Sequence, residues 1–381
     1  MFMTTTIKPP FRYDIVGSFL RPEKLKAVRA DYAAKKITAA ELKATEDEAV
    51  KNLVDLQLEH GLKAVTDGEF RRSWWHLDFF AGLLGTTYFT PEQGYFFHGG
   101  ETRAGGIRYV DRVRYNPDHP FFKGFEFLQQ ITPKTAVAKQ TIPSPSVFFP
   151  NTAAEIYDDY YGDNLDQLYT DLTAAYQQTI QHFYDLGCRY LQLDDTSWGM
   201  WASFAADQHL TTDVSPQIKP LADAAVKIIN ELADHKPADL TLTMHVCRGN
   251  YNSDWAGAGA YDPVADYLAQ LHIDGYFLEY DDERSGGFAP LAKIAANGRH
   301  QKIVLGLITS KRPELESFAT LKARLDDASQ YVPLADLCLS PQCGFASTEE
   351  GNQLTEAQQW AKIDLVVQTA QQIWPNNTTK A

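Results

Sequence analysis

His245 and Cys247 stand two positions apart at the end of a short apolar run that begins at Leu240. Side chains two apart on a β-strand point to the same face, so an imidazole and a thiolate placed this way reach one metal ion together. Zinc accepts nitrogen, sulfur and carboxylate ligands in a tetrahedral arrangement. The pair therefore indicates part of a zinc site; the alternative is a satisfied core histidine beside a small apolar cysteine.

Two other apolar runs end in groups that would complete such a site. Glu279 lies near the end of the run Gly275–Tyr280, and Cys343 lies in the turn Ser340–Gly344. A carboxylate at the tip of a strand that is buried on both faces needs a partner. A purely structural zinc fits less well, because such sites use closely spaced cysteine pairs and these residues are spread over three runs.

The composition limits the classes of function. Of the 381 residues, 44% are hydrophobic and 22% are charged, which is typical of a globular chain with a sizeable core. The formal net charge of −14 argues against a nucleic-acid or anionic-membrane partner. No run approaches the roughly 20 apolar residues of a membrane helix, and the start, Met1 to Asp14, lacks the apolar stretch of a signal peptide. We therefore expect a cytoplasmic protein, in which the remaining cysteines, Cys188 and Cys338, fill core space rather than form disulfides.

The segments that must position these groups alternate between strand-like and helical patterns. Eight short apolar runs end in polar or reactive residues: Asp14–Ser18, Ala64–Glu69, Ala136–Ser144, Tyr190–Asp195, Leu240–Cys247, Gly275–Tyr280, Lys302–Thr309 and Leu337–Cys343. This alternation is typical of a parallel sheet. Because the active site of a barrel lies at the C-terminal ends of its strands, the sequence predicts an α/β fold, a (β/α)8 TIM barrel. An open doubly wound sheet is the alternative.

Two long helical segments and one insertion complete the predicted organisation of a single catalytic domain over residues 1–381. The first helical segment runs from about Pro22 to His60, with a break near 36–38, and ends at Gly61. The second runs from about Asn164 to Leu186 and stops at Gly187. Residues 88–130, after the second strand, fit no barrel unit and predict an inserted hairpin region, with a candidate hairpin around 103–114 that could act as a lid.

The blocks at the strand ends resemble the catalytic barrel of cobalamin-independent methionine synthase, in a short single-barrel form. They span residues 14 to 347 in the order of that family. The matching blocks are Asp14-Ile15-Val16-Gly17-Ser18-Phe19, Thr66-Asp67-Gly68-Glu69, Leu191-Gln192-Leu193-Asp194, Met244-His245-Val246-Cys247, Leu278-Glu279 and Ser340-Pro341-Gln342-Cys343-Gly344.

The resemblance implies roles for individual residues. Zn2+ would be bound by His245, Cys247, Glu279 and Cys343. The carboxylate and backbone of homocysteine would be held by Val16, Gly17 and Ser18, and its ammonium group by Glu69 and Asp194. For Glu69 the alternative is a salt bridge with Arg71 or Arg72, and for Asp194 it is a helix cap.

The zinc chemistry gives Glu279 a second, catalytic role. A free thiol has a pKa near 8.5 and is mostly protonated at neutral pH, whereas a metal-bound thiol is deprotonated. Zn2+ with two thiolates, one carboxylate and a neutral imidazole carries a net charge of −1, and this charge is unchanged if a homocysteine thiolate replaces Glu279. Glu279 is therefore predicted to be a replaceable oxygen ligand among softer permanent ones.

The chain departs from the family on the side of the methyl donor. It has one barrel where the full-length enzymes have two, Met200 stands where longer members place an acidic folate contact, and Pro145 falls near the expected pterin-stacking aromatic residue. In place of the proton-donating histidine stands Lys311, or no residue if the segment contains a gap, and for Lys311 a solvated loop lysine is the alternative. The donor is expected to be a methyltetrahydrofolate; a methylated corrinoid protein or another small methyl compound is the alternative.

The sequence thus predicts a zinc-dependent S-methyltransferase that converts homocysteine to methionine. A coenzyme M type of thiol is the nearest alternative, but it lacks an ammonium group for Glu69 and Asp194. The zinc residues argue against a metal-free decarboxylase resembling the uroporphyrinogen enzymes. A non-catalytic zinc- or methionine-binding protein is the alternative from another class, and the exchangeable carboxylate argues against it.

Overall fold

A computed structural model describes residues 8–97, 100–150 and 156–375. Its strands are β1 (Ala64–Val65), β2 (Leu84–Phe89), β3 (Phe96–Phe97), β4 (Gly100–Glu101), β5 (Gly106–Arg114), β6 (Val137–Pro143), β7 (Ile156–Asp158), β8 (Tyr190–Asp195), β9 (Thr241–Val246), β10 (Asn250–Tyr251), β11 (Asp254–Trp255), β12 (Gly275–Glu279), β13 (Lys302–Ile308) and β14 (Leu337–Pro341).

The helices lie mostly between these strands. They are α1 (Glu23–Ala33), α2 (Ala39–Glu59), α3 (Leu77–Ala81), α4 (Pro120–Ile131), α5 (Leu165–Asp185), α6 (Ser197–Asp207), α7 (Lys219–His235), α8 (Asp262–Leu268), α9 (Pro290–Ala295), α10 (Phe318–Ala328) and α11 (Glu356–Ile373), with short 3-10 helices at Pro145–Phe148 and Glu283–Ser285. In the described residues, no helix is long and apolar enough to cross a membrane.

Seven parallel strands form the central sheet, in the order β1-β6-β8-β9-β12-β13-β14. Every residue of β8, β9, β12 and β14 is buried. Strands covered on both faces by side chains and helices read as continuous apolar runs, which is why the sequence marked them clearly. The curled parallel sheet flanked by helices confirms the predicted TIM-barrel-like α/β fold.

The first predicted strand, Asp14–Ser18, is wrong as a ladder strand. Next to it, Tyr13 forms only an isolated bridge with Leu339. The segment is nevertheless extended between the two edge strands. The Asp14 N–H donates to the carbonyl of Leu339 at 3.0 Å, and the Thr66 hydroxyl donates to the carbonyl of Gly17 at 2.6 Å. The segment thus bridges the two edge strands by scattered hydrogen bonds, because the side chains of Lys139 and Gln192 donate to the carbonyls of Ile15 and Val16, which a ladder partner would otherwise use.

Both predicted long helical segments are confirmed. The first is divided into α1 and α2, and Thr38 begins α2 with a capping box to Glu41. Gly61 has φ +86° and Gly187 has φ +99°, so each adopts the left-handed conformation that ends a helix and that glycine enters without a Cβ penalty.

The segment 88–130 contains β5, which is the central strand of the three-stranded sheet β2-β5-β7, the short antiparallel pair β3 and β4, and one helix, all outside the central sheet. Strand β5 pairs antiparallel with β2 and parallel with β7, so residues 103–114 supply one strand of a hairpin whose partner is Leu84–Phe89. Helix α4 closes the segment, and residues 98 and 99 lie outside the described ranges. Arg103 ties it to the barrel mouth through an ion pair of 2.6 Å with Glu349.

Candidate metal centre

The four predicted metal ligands meet at the C-terminal edge of the sheet. His245 is in β9 and pairs in register with Phe277 of β12, so Glu279 at the end of β12 lies beside Cys247 just after β9. Cys343 follows β14. One potential ligand atom from each of the four side chains lies within 4.8 Å of all the others, and all four residues are buried.

The distances leave a space of ionic size between the groups. The two cysteine Sγ atoms are 3.9 Å apart, and His245 Nε2 is 3.8 Å from Glu279 Oε1. Neither ring nitrogen of His245 nor Glu279 Oε2 has a hydrogen-bond partner among the described residues, although all three atoms are buried. Buried polar atoms without partners are rare in folded proteins. A shared cation would satisfy them together.

The pKa of the Cys247 thiol also indicates a site for a cation. The adjacent Cys343 thiol and burial raise the pKa of Cys247 well above that of a free thiol, so the site without a cation disfavours thiolate. A bound metal ion reverses this preference, because it coordinates the thiolate. Two sulfurs, one imidazole nitrogen and one carboxylate oxygen form a donor set that suits zinc.

Asn250 is part of the centre and was not identified from the sequence. Its amide nitrogen donates to Glu279 Oε1 at 2.7 Å and to Cys247 Sγ at 3.4 Å, and the residue is 4% exposed. The backbone N–H of Arg248 also donates to Glu279 Oε1, at 3.2 Å. Asn250 stands three positions after Cys247 in the sequence. Its contact with the site depends on the turn after β9, and the sequence of that turn has no pattern that predicts its conformation.

Glu69 lies near the predicted substrate residues, but it already has a partner. Its carboxylate forms an ion pair with Arg72, as in the alternative interpretation, and accepts a hydrogen bond from Thr141 Oγ1 at 3.2 Å. A Cβ on Gly17 would approach Glu69 Oε1 to 2.9 Å, so these two residues are in contact. Glu69 also has φ +59°, a strained value for a non-glycine residue, and such strain clusters at functional sites.

Asp194 lies beside the metal centre, since it pairs in register with His245. Gln192 Nε2 donates to its Oδ1 at 2.7 Å. Burial and the neighbouring Glu69 raise the pKa of Asp194, although the His245 ring opposes them. The helix-cap alternative is wrong for Asp194, because the adjacent Asp195 accepts the N–H of Ser197 at 2.7 Å.

Val16, Gly17 and Ser18 border the same space. The carbonyls of Val16 and Gly17 accept hydrogen bonds from Gln192 and Thr66 side chains. Within the described part of the chain, the N–H groups of Gly17 and Ser18 donate to no protein acceptor. Ser18 also contacts the loop that carries Cys343, because its Oγ accepts the N–H of Ala346 at 3.2 Å.

Lys311 is not a solvated loop lysine, so that alternative is wrong. It is 5% exposed, and its Nζ lies 2.5 Å from Asp281 Oδ2. Although burial opposes the effect, the Lys311 ammonium lowers the pKa of Asp281. Asp281 is two residues beyond Glu279, which places this ion pair at the same end of the barrel as the metal centre.

The chain is similar in sequence and fold to several known proteins. The family described as the catalytic domain of cobalamin-independent synthase matches residues 11–371. The uncharacterized protein YxjG of Bacillus subtilis is 46% identical over 369 residues, covering 96% of each chain. A crystal structure from Listeria monocytogenes, proposed to be a vitamin-B12 independent methionine synthase, is 40% identical, covers 97% of this chain and 99% of its own, and has a TM-score of 0.75. A B12-independent methionine synthase from Shewanella, in complex with selenomethionine, shares the fold with a TM-score of 0.69 at 16% identity, covering 96% and 98% of the two chains.

The cysteine pair Cys343 and Cys338 offers a matched test of the metal centre. Both are buried, but Cys338 faces the core, where burial raises its pKa to about 12. We expect Cys343→Ser to lose most of its zinc affinity and Cys338→Ser to keep about one zinc per chain, as measured by chelator competition and elemental analysis. Equal zinc content in the two variants would contradict the assignment of Cys343.

Proposed function

The chain belongs to the cobalamin-independent methionine synthase family, and from this premise we propose that it methylates the thiol of homocysteine with the help of a bound Zn2+. Membership makes the protein a methyltransferase of the methionine synthase type. The observation that carries the finer proposal is the convergence of His245, Cys247, Glu279 and Cys343 in one buried space. Zinc bound there would hold the substrate sulfur as a thiolate, which is the nucleophile that attacks the methyl group.

The groups around the metal centre suit an amino-acid substrate. Asp194 and Glu69 offer carboxylates to the ammonium group, and the N–H groups of Gly17 and Ser18 offer donors to the carboxylate. A zwitterion needs both kinds of partner, and charge-assisted hydrogen bonds are the stronger ones. The raised pKa of Asp194 is also consistent with a site that is completed by a cation, since an ammonium group would favour the ionised carboxylate. The selenomethionine in the Shewanella structure, an analogue of the expected product, supports this class of ligand.

Glu279 is the ligand proposed to give way to the incoming thiol. Its Oε1 already has donors in Asn250 and the Arg248 N–H, so the carboxylate stays hydrogen-bonded when it leaves the metal. By comparison, Cys247 Sγ accepts a longer contact from Asn250, at 3.4 Å, and neither ring nitrogen of His245 has a hydrogen-bond partner among the described residues.

The proposed reaction is tested by an assay of methionine formation with three methyl donors in parallel. We expect zinc-loaded protein to convert homocysteine with methyltetrahydrofolate or its triglutamate as donor. Turnover with methylcobalamin alone would show that the methyl donor is a corrinoid and not a folate. A protein that binds zinc and turns over none of the three donors, with homocysteine or with coenzyme M, would contradict the proposed function.

Asp194→Asn separates substrate binding from metal binding. The substitution keeps the side-chain shape and removes the charge, so we expect one zinc per chain as in the wild type. Loss of a charge-assisted hydrogen bond of about 1.5–3 kcal/mol weakens homocysteine binding by roughly 10- to 100-fold. Titration calorimetry on zinc-loaded protein measures this, and loss of zinc from Asp194→Asn would show that its role is misassigned.

We also propose that Lys311 supplies the proton that a folate leaving group requires. Its ammonium is buried and held by Asp281 at the end of the barrel that carries the metal centre. General acid catalysis contributes about 100- to 10,000-fold, so Lys311→Met should reduce transfer from methyltetrahydrofolate by at least 100-fold and leave zinc and homocysteine binding unchanged.

Lys362→Met is the matched control for Lys311→Met. Lys362 is a fully buried lysine paired with Glu316 at 3.0 Å, and it also donates to the carbonyl of Glu314. Equal losses of turnover in the two variants, measured at matched folded fractions, would assign Lys311 a structural role only.

A further inference from the structure

A chain of buried amide groups leads from the end of β13 to the metal centre. Ser310, Gln342 and Asn250 are 0%, 1% and 4% exposed. The Ser310 N–H donates to Gln342 Oε1 at 2.7 Å, and Gln342 Nε2 donates to Asn250 Oδ1 at 3.2 Å. Asn250 Nδ2 then faces Glu279 and Cys247. None of these three residues is itself among the proposed metal ligands.

The orientation of the Asn250 amide follows from this chain. A backbone N–H is only a donor, so Gln342 must turn its oxygen to Ser310 and its NH2 group to Asn250. Asn250 must then turn its own oxygen to Gln342, which leaves its NH2 group as the donor toward the ligands. The direction of the hydrogen bonds is thus fixed from a backbone group, rather than by a choice between two amide flips.

The two carboxylate oxygens of Glu279 therefore lie in different environments. Oε1 accepts from Asn250 at 2.7 Å and from the Arg248 N–H at 3.2 Å, whereas Oε2 has no hydrogen-bond partner in the part of the chain that is described. The main chain of Glu279 is anchored as well, because the hydroxyls of Ser285 and Tyr261 donate to its carbonyl. Oε2 is therefore the oxygen that is left for a metal ion.

We propose that Asn250 is a positioning residue that sets how easily Glu279 is exchanged for the substrate thiol. This inference rests on the proposed function. By holding Oε1, Asn250 keeps Glu279 a one-oxygen ligand in the resting site, whereas a displaced carboxylate would still accept from the Arg248 N–H. The same amide group donates to Cys247 Sγ, which remains a ligand in both states. Removing the donor therefore harms the resting site more than the thiol-bound site.

This difference predicts two effects of opposite sign in Asn250→Ala. Outer-shell partners of metal ligands typically contribute 10- to 100-fold to metal affinity, so the affinity for zinc without homocysteine should fall by about tenfold. In saturating homocysteine, Glu279 no longer binds the metal, and the loss should be only two- to threefold. Because the two equilibria are linked, the zinc-loaded variant should bind homocysteine about three- to fivefold more tightly than the wild type.

The experiment measures zinc affinity by competition with a chromophoric chelator, with and without homocysteine, in wild type, Asn250→Ala and Asn230→Ala. Asn230, in α7, is the matched control, because its amide also makes two hydrogen bonds, to the Gln270 carbonyl at 2.9 Å and from the His272 N–H at 2.8 Å. If Asn250→Ala does not fold, Asn250→Leu keeps the approximate shape and removes the same donor.

An unchanged zinc affinity in Asn250→Ala, or an equal loss with and without homocysteine, would overturn the inference. Wild-type protein whose zinc affinity does not respond to homocysteine would contradict the proposed function instead. In that case the comparison of Asn250→Ala with Asn230→Ala in the absence of thiol still decides whether Asn250 positions the ligand.

Discussion

Two thiols, an imidazole and a carboxylate share one buried space at the ends of neighbouring strands, and the rest of the structure makes this crowding possible. Without a cation, the site raises the pKa of Cys247, and buried atoms of His245 and Glu279 have no hydrogen-bond partner within the described ranges. Such an arrangement is unfavourable unless a cation compensates it. The parallel register of β9 and β12, together with the turn after β14, holds the four groups in place before any metal ion arrives.

The surroundings of the metal centre divide into three neighbouring regions. One side carries Asp194, Glu69 and the N–H groups of Gly17 and Ser18, which have no acceptor among the described residues and are proposed to bind a zwitterion. The amide chain that ends at Asn250 lies behind Glu279. The ion pair of Lys311 and Asp281 lies beyond the same strand. Glu279, the amide chain behind it and the Lys311–Asp281 ion pair therefore depend on β12 and its neighbours β9 and β13, whereas Asp194 is in β8 and Glu69 follows β1.

The sequence predicted the features that depend on a local apolar pattern or on reactive residues at the ends of strands. Buried parallel strands are continuous apolar runs, and reactive residues at their ends mark one face of the barrel, so the fold and the four clustered residues were predicted. The segment Asp14–Ser18 was misjudged because an extended run and a ladder strand have the same apolar pattern, and only long-range pairing distinguishes them. The contact of Asn250 with Glu279 was invisible because it depends on a turn, and the burial of Lys311 depends on Asp281, 30 residues away.

We propose that the substrate thiol replaces Glu279 in a zinc site built from this chain. X-ray absorption at the zinc edge, on zinc-loaded protein with and without homocysteine, tests it most directly because sulfur and oxygen neighbours differ in scattering and in distance from zinc, about 2.3 Å against 2.0–2.2 Å. We expect two sulfur neighbours in the resting protein and three after homocysteine is added, with one oxygen neighbour lost. A site that keeps two sulfurs and its oxygen in saturating homocysteine would contradict it.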